Sequence, residues 1–281
     1  MATLLRPLLI PILAISQVCA GTLPENFQAE KLVAWCIVPF DAAKRSPAER
    51  AAMLKSLGIG RCAYDWRKQH VAEFEEEIVQ YKKHGIEYFA FWGAHEKAFA
   101  LFEEHAIRPQ IWHTAPSPKV EGQEEKVIAA ADAMEALAQR TAKLGSKLGL
   151  YNHGGWGGEP ANLVAVCKEL HRRGHRHVGI VYNFHHGHGH IDDWAESLAQ
   201  MRPHLLCLNL NGMNTAAKPK ILALGRGEHE AAMIRAVIGS GYDGPIGILD
   251  HQNQLDAKVA LEQNLAGLEA LEKKIFLPAK P

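Results

Sequence analysis

The sequence predicts a single-domain (β/α)8 TIM barrel. Short apolar runs alternate with amphipathic stretches eight times over about 250 residues, a length such barrels take. The apolar runs are continuous, as strands read when a parallel sheet is covered by helices. No GxGxxG follows the first run, which weighs against the runner-up, an open doubly wound sheet.

The elements follow in order. LVAWCIVPF (32–40) is the first strand. Ser46-Pro47-Ala48-Glu49 opens a helix: Ser caps, Pro suits the first helical position, and Glu completes a capping box. IGRCAYDW (59–66) is strand two, and VAEFEEEIVQYKKHG (71–85) a helix closed by Gly85. IEYFAFWGA (86–94) and KAFALFEEHA (97–106) form the third unit, and PQIWHTA (109–115) with the long helix at 122–145 the fourth. KLGLYNHG (147–154) precedes the helix at 161–174. HVGIVYNF (177–184) precedes a short helix at 192–201, HLLCLNLNG (204–212) one at 228–241, and GPIGILDH (244–251) the last, at 256–275.

The 281 residues are 47% hydrophobic and 22% charged, with a formal net charge of zero. Nothing in that balance suggests a nucleic-acid partner, which would bring a basic stripe. Residues 1–20 differ from the rest: Arg6, an apolar run from Leu8 to Val18, and small residues before Gly21. They read as a secretory signal peptide cleaved near Ala20, followed by a linker at 21–30 and the barrel at 31–281. The expected location is periplasmic or extracellular, with no membrane span in the mature chain. Cys36, Cys62, Cys167 and Cys207 show no CxxC spacing and read as free, buried thiols.

In this fold active sites form at the C-terminal ends of the strands. Those ends carry Asp65-Trp66-Arg67, Trp92, His113, Tyr151-Asn152-His153, Asn183 to His186, Asn209 to Asn211, and Asp250-His251. The stretch YNFHHGHGHIDDW (182–194) therefore falls at the rim of strand six. Its glycines at 187 and 189 turn the chain away, so His186 is expected to face the mouth and His185, His188 and His190 mostly solvent.

LYNHGGW, IVYNFHH, CLNLNGM, LALGRGEHEAAMI and SGYDGPIGILDHQ, in this order, resemble the second half of the xylose isomerase-like (sugar phosphate isomerase/epimerase) barrels. The Gly225-Arg226-Gly227 stretch and the Gly241-Tyr242-Asp243-Gly244 run are its strongest markers. The resemblance implies a divalent metal and isomerisation or epimerisation of sugars, or β-elimination on oxidised glycosides. It also implies ligand positions that this chain changes. The strand-five Glu falls on Tyr151 or Asn152, the strand-six Asp on Asn183, the strand-seven His on Asn209, and the strand-eight Glu on Leu249 beside Asp250. Only His186 matches. Amides bring no charge to offset dehydration of a hard cation, and they move no protons near neutral pH. A divalent metal (Mn, Mg, Zn or Co) held by His186 and Asp250 is thus a doubtful expectation.

The catalytic candidates are His186, His153 and Asp250, with His113, His251 and Asp65 also available. Each has a plainer reading as a hydrogen-bonded rim residue. Asn152, Asn183, Asn209 and Asn211 offer donors and acceptors suited to vicinal hydroxyls. Trp66 and Trp92 suit either the apolar face of a sugar or rim packing. Arg226 suits an anionic group or simple exposure. The expected function is an exported sugar isomerase or epimerase working by proton abstraction beside a carbonyl, or a lyase on an oxidised glycoside. The alternative is a non-catalytic carbohydrate-binding barrel. The partner is a small-molecule carbohydrate; oligomeric state is not legible.

Overall fold

Eight parallel strands close on themselves in sequence order, β1 pairing with both β2 and β8. The computed structural model describes residues 21–276, so the expected signal peptide at 1–20 lies outside the described residues. The strands are β1 (Val33–Trp35), β2 (Arg61–Tyr64), β3 (Glu87–Trp92), β4 (Gln110–Thr114), β5 (Leu148–Tyr151), β6 (Val178–Asn183), β7 (Leu205–Leu210) and β8 (Ile246–Leu249). The helices are α1 (Pro47–Ser56), α2 (Phe74–His84), α3 (Glu96–Glu104), α4 (Gln123–Leu144), α5 (Pro160–Arg172), α6 (Trp194–Met201), α7 (Glu230–Gly239) and α8 (Ala257–Phe276).

Local signals placed the helix ends. Ser46 and Glu49 exchange the reciprocal bonds of a capping box. Gly85 and Gly145 close α2 and α4 in the left-handed region, at φ 69° and 75°.

Burial sorts the strand residues into two shells. Val33, Trp35, Trp112, Tyr151, Val181 and Leu249 fill the barrel interior. Their sequence neighbours, such as Ala34, Ile111, Leu150 and Ile248, face the helices. Both strand faces are apolar, which is why the strands read as unbroken runs.

Residues 21–30, expected as a linker, are partly structured. Two short 3-10 turns, Glu25–Phe27 and Ala29–Lys31, lie against the N-terminal end of the barrel, with Phe27 buried. Asn26 Nδ2 donates to the Gly244 carbonyl (2.8 Å), and Leu23 N donates to Glu272 on α8 (2.9 Å).

Candidate active site

A cleft opens at the C-terminal ends of the strands, with about 520 Å³ of space including its mouth. Trp35, Trp92 and Tyr151 form an aromatic cluster at its base, with ring centroids of Trp92 and Tyr151 4.9 Å apart. Asp65 and Arg67 line it from the end of β2; His153, Asn183, His185 and His186 line it from β5 and β6. Cys36 also borders it, at φ 62°, a conformation that costs a non-glycine residue about 1 kcal/mol or more.

The protons around Tyr151 are determined by its neighbours. Asn183 Oδ1 accepts from the His185 backbone N–H (3.0 Å), so the Asn183 amide nitrogen is the atom facing Tyr151. It donates to the Tyr151 hydroxyl at 2.5 Å, and Trp35 Nε1, which can only donate, adds a second bond at 3.0 Å. The phenol oxygen accepts twice, so its own O–H is spent on neither neighbour, and Tyr151 borders the cleft. Burial holds that phenol protonated, well above its ordinary pKa.

Asp65 supplies the complementary group. It is 2% exposed, and neither carboxylate oxygen has a partner of good hydrogen-bond geometry. Burial raises its pKa to about 7, with Arg67 and the Val38 N–H pulling the other way. Asp250 is also raised, to about 8, again by burial. Its Oδ1 accepts from Gln252 N (3.1 Å) and its Oδ2 has no partner. Asp250 is wholly buried and does not line the cleft; Leu249 does. Strand alternation allows one of the two to face inward, and it is Leu249.

The histidine stretch departs from expectation. His186 does line the cleft, with its ring centroid 4.5 Å from that of His153. His185, expected in solvent, is 4% exposed and also lines the cleft, 5.0 Å between centroids from His251. The cause is local. Asn183 caps a 3-10 turn at Phe184–His186, so the chain coils over the mouth where an extended chain would leave it. A second turn at His188–His190 leaves both of those rings half-buried. His190 is held between Glu159 and Asp193 (2.9 and 3.0 Å), and His188 Nδ1 meets the His185 carbonyl (3.2 Å). Burial lowers the pKa of His185 to about 3 and of His186 to about 2, so both are neutral imidazoles near neutral pH.

The remaining candidates divide. Trp92 borders the cleft, whereas Trp66 packs against Phe91 and donates its Nε1–H to the Trp92 carbonyl (2.7 Å). Asn152 is buried and clamps β5 to β6: Oδ1 accepts from Asn183 N (2.7 Å), and Nδ2 donates to Asn183 O (3.0 Å). Asn209 is wholly buried beside Gly247, where a Cβ would fall 1.8 Å from its Oδ1. Asn211 donates to the Gly212 and Lys220 carbonyls (2.7 and 3.1 Å) and ties down the β7–α7 loop. Arg226 is exposed and away from the cleft. The Gly-Arg-Gly stretch around it serves the backbone. Buried Glu230 accepts from Gly227 N (2.7 Å) and Met213 N (3.1 Å), and a Cβ on Gly227 would fall 2.3 Å from the Met213 nitrogen.

The strand-end positions do not fit the metal that the resemblance implies. The Tyr151 oxygen already accepts two bonds, Asn152 and Asn183 have their amides engaged within the protein, Asn209 is sealed, and Leu249 has no donor atom. Asp250 is shut off from the cleft that His186 lines, so that pair does not converge there. Among the described residues, one group of three His, Cys or carboxylate donors lies within 4.8 Å of one another, and it is elsewhere: Cys167, His171 and His204.

No family model matches the chain, and no curated protein matches it by sequence. Solved structures do match in fold. The IOLI protein with a bound zinc atom aligns at TM-score 0.67 and 12% identity, covering 88% of this chain and 99% of that one. The 3-keto-D-glucoside 4-epimerase YcjR from E. coli aligns at TM-score 0.64 and 16% identity, covering 85% and 98%. The probable 3-DHS dehydratase AsbF from Bacillus anthracis aligns at 0.67 and 12%, covering 85% and 98%. What these neighbours share with this chain is the fold, a closed (β/α)8 barrel.

Proposed function

We propose that this protein is a carbohydrate-active enzyme that removes a proton from the carbon beside the carbonyl of a keto-sugar. The observation that carries this reading is the Tyr151 phenol, which borders the cleft and whose oxygen accepts from two fixed donors, so that its O–H is spent on neither. A neutral donor of this kind stabilises the oxyanion that develops when such a proton leaves. Asp65, at a pKa of about 7, is poised to take the proton. A carboxylate base with a neutral phenol donor is a recurring arrangement in enolising enzymes. The neutral imidazoles of His186 and His153 offer further N–H donors to the sugar oxygens. Trp92 offers a face for the ring. The names of two fold neighbours support the reading: one is a 4-epimerase of a 3-keto sugar, the other a probable dehydratase. Return of the proton to carbon gives an isomer or epimer, and loss of a β-substituent gives an elimination product.

The test is proton exchange. Keto-sugars incubated with the protein in D2O are expected to gain deuterium beside the carbonyl, followed by NMR. Asp65 must be ionised to act as base, so kcat/KM should rise with pH through about 7 and then level. A sugar that binds but gains no deuterium across a panel of keto-sugars would establish the binding-barrel alternative.

Asn183→Asp gives a more local check. The new carboxylate would accept from the His185 N–H with one oxygen and present the other to Tyr151. Two oxygens can meet there only if the phenol O–H turns away from the cleft. Exchange should slow by about 10²-fold or more, as for loss of the donor itself, with the fold intact by circular dichroism. An unchanged rate would mean that the phenol proton is not directed as described.

A further inference from the structure

Three donor side chains meet at the end of the barrel opposite the cleft. Cys167 and His171 lie four residues apart on α5, hence on one face of the helix. That face packs on the start of β6, where both approach the carbonyl of Val178. His204 reaches the same place from the turn that leads into β7. One donor atom from each lies within 4.8 Å of the other two; Cys167 Sγ is 3.5 Å from His171 Nε2, and the two imidazole centroids are 5.5 Å apart. Cys167 is fully buried and free of any disulfide. His204 Nδ1 is buried with no hydrogen-bond partner, a condition that ordinarily costs stability.

We propose that Cys167, His171 and His204 form a structural site for a late transition-metal cation of the zinc class. One thiolate and two imidazoles are donors that favour such ions over magnesium or calcium. Metal–ligand bonds of about 2.0–2.3 Å in a tetrahedron set donor separations of about 3.5 Å. The three side chains need only small rotations to reach that. On binding, the thiol loses its proton to solvent. His171 moves its N–H from Nε2 to Nδ1, so that Nε2 becomes a ligand. The Val178 carbonyl oxygen, 2.7 Å from His171 Nε2 and 3.5 Å from Cys167 Sγ, loses these donors and is placed to supply the fourth position. The ion would pin α5 to the turn before β7, beside the start of β6, and stabilise the folded state by mass action. The site is independent of the function proposed for the cleft.

Cobalt(II) added to the full chain, purified without a His tag, distinguishes this site from the imidazoles at 185–190. A thiolate ligand gives a near-ultraviolet charge-transfer band, and imidazoles alone do not. One equivalent of cobalt should produce that band. Cys167→Ser should abolish it, His204→Ala should weaken binding at least tenfold, and His188→Ala should leave it unchanged. In parallel, zinc should raise the unfolding midpoint of the wild type, reversibly with a chelator, and that of His188→Ala, but not that of His204→Ala. No band in the wild type, or a band that persists in Cys167→Ser, would overturn the site. Should Cys167→Ser not fold, undiminished binding and zinc stabilisation in His204→Ala would overturn it equally.

Discussion

Tyr151→Phe should lower kcat/KM for deuterium exchange by about 10²–10³-fold, the cost of removing one donor from an oxyanion site. The substitution removes a single oxygen. The ring keeps its contacts with Trp92 and Trp112, so the barrel interior should stay packed. The Trp35 Nε1–H and the Asn183 amide lose their acceptor, which should cost about 1–3 kcal/mol of stability. The two effects separate by measurement, because denaturant unfolding reports the second and exchange kinetics the first. A variant that exchanges at the wild-type rate would remove the phenol from the mechanism and leave Asp65 and the histidines to account for turnover.

Glu77→Ala should be among the most damaging single substitutions for stability. Glu77 on α2 is wholly buried and paired with Arg50 on α1, which is 2% exposed. Arg50 also donates to the Arg45 carbonyl (2.7 Å), which holds its guanidinium in place. Removing the carboxylate leaves a buried cation without its partner, at a cost of about 3–5 kcal/mol. For a chain of this length the unfolding midpoint should fall by about 10 °C. Replacing both residues with apolar ones of similar volume, Arg50→Met with Glu77→Leu, should recover much of the loss, since a buried pair offsets little more than its own desolvation. Calorimetry showing the double variant no more stable than Glu77→Ala would mean that the pair does more than neutralise itself.

The barrel was legible because its signals are local: apolar runs of strand length, a capping box at Ser46, and glycines that end α2 and α4. The position of the cleft followed from the fold. Which side chains point into it was much harder to read. Strands covered on both faces carry no alternation, so the sequence does not show which of Leu249 and Asp250 faces inward. Tyr151 was read as a strand-end residue where the resemblance puts a Glu, and not as a catalytic candidate, because its role depends on Trp35 and Asn183, 116 and 32 positions away. His185 was misplaced because the coiling after Asn183 rests on one side-chain cap. Asp65 stood beside Asp250 as a strand-end carboxylate; both are buried, and what sets Asp65 apart is that it lines the cleft. The Asn residues looked like sugar ligands because their donors and acceptors serve backbone as readily as hydroxyls.

The bond between Leu23 and Glu272 brings the first and last described segments together on the closed end of the barrel. Gly21 lies against the ring of Phe276 in the same region. A bead, a fusion partner or a surface joined directly at Gly21 or at Phe276 would therefore hold the molecule from behind. The cleft would face outward, and attachment at one of these two residues would present it in the same orientation as attachment at the other.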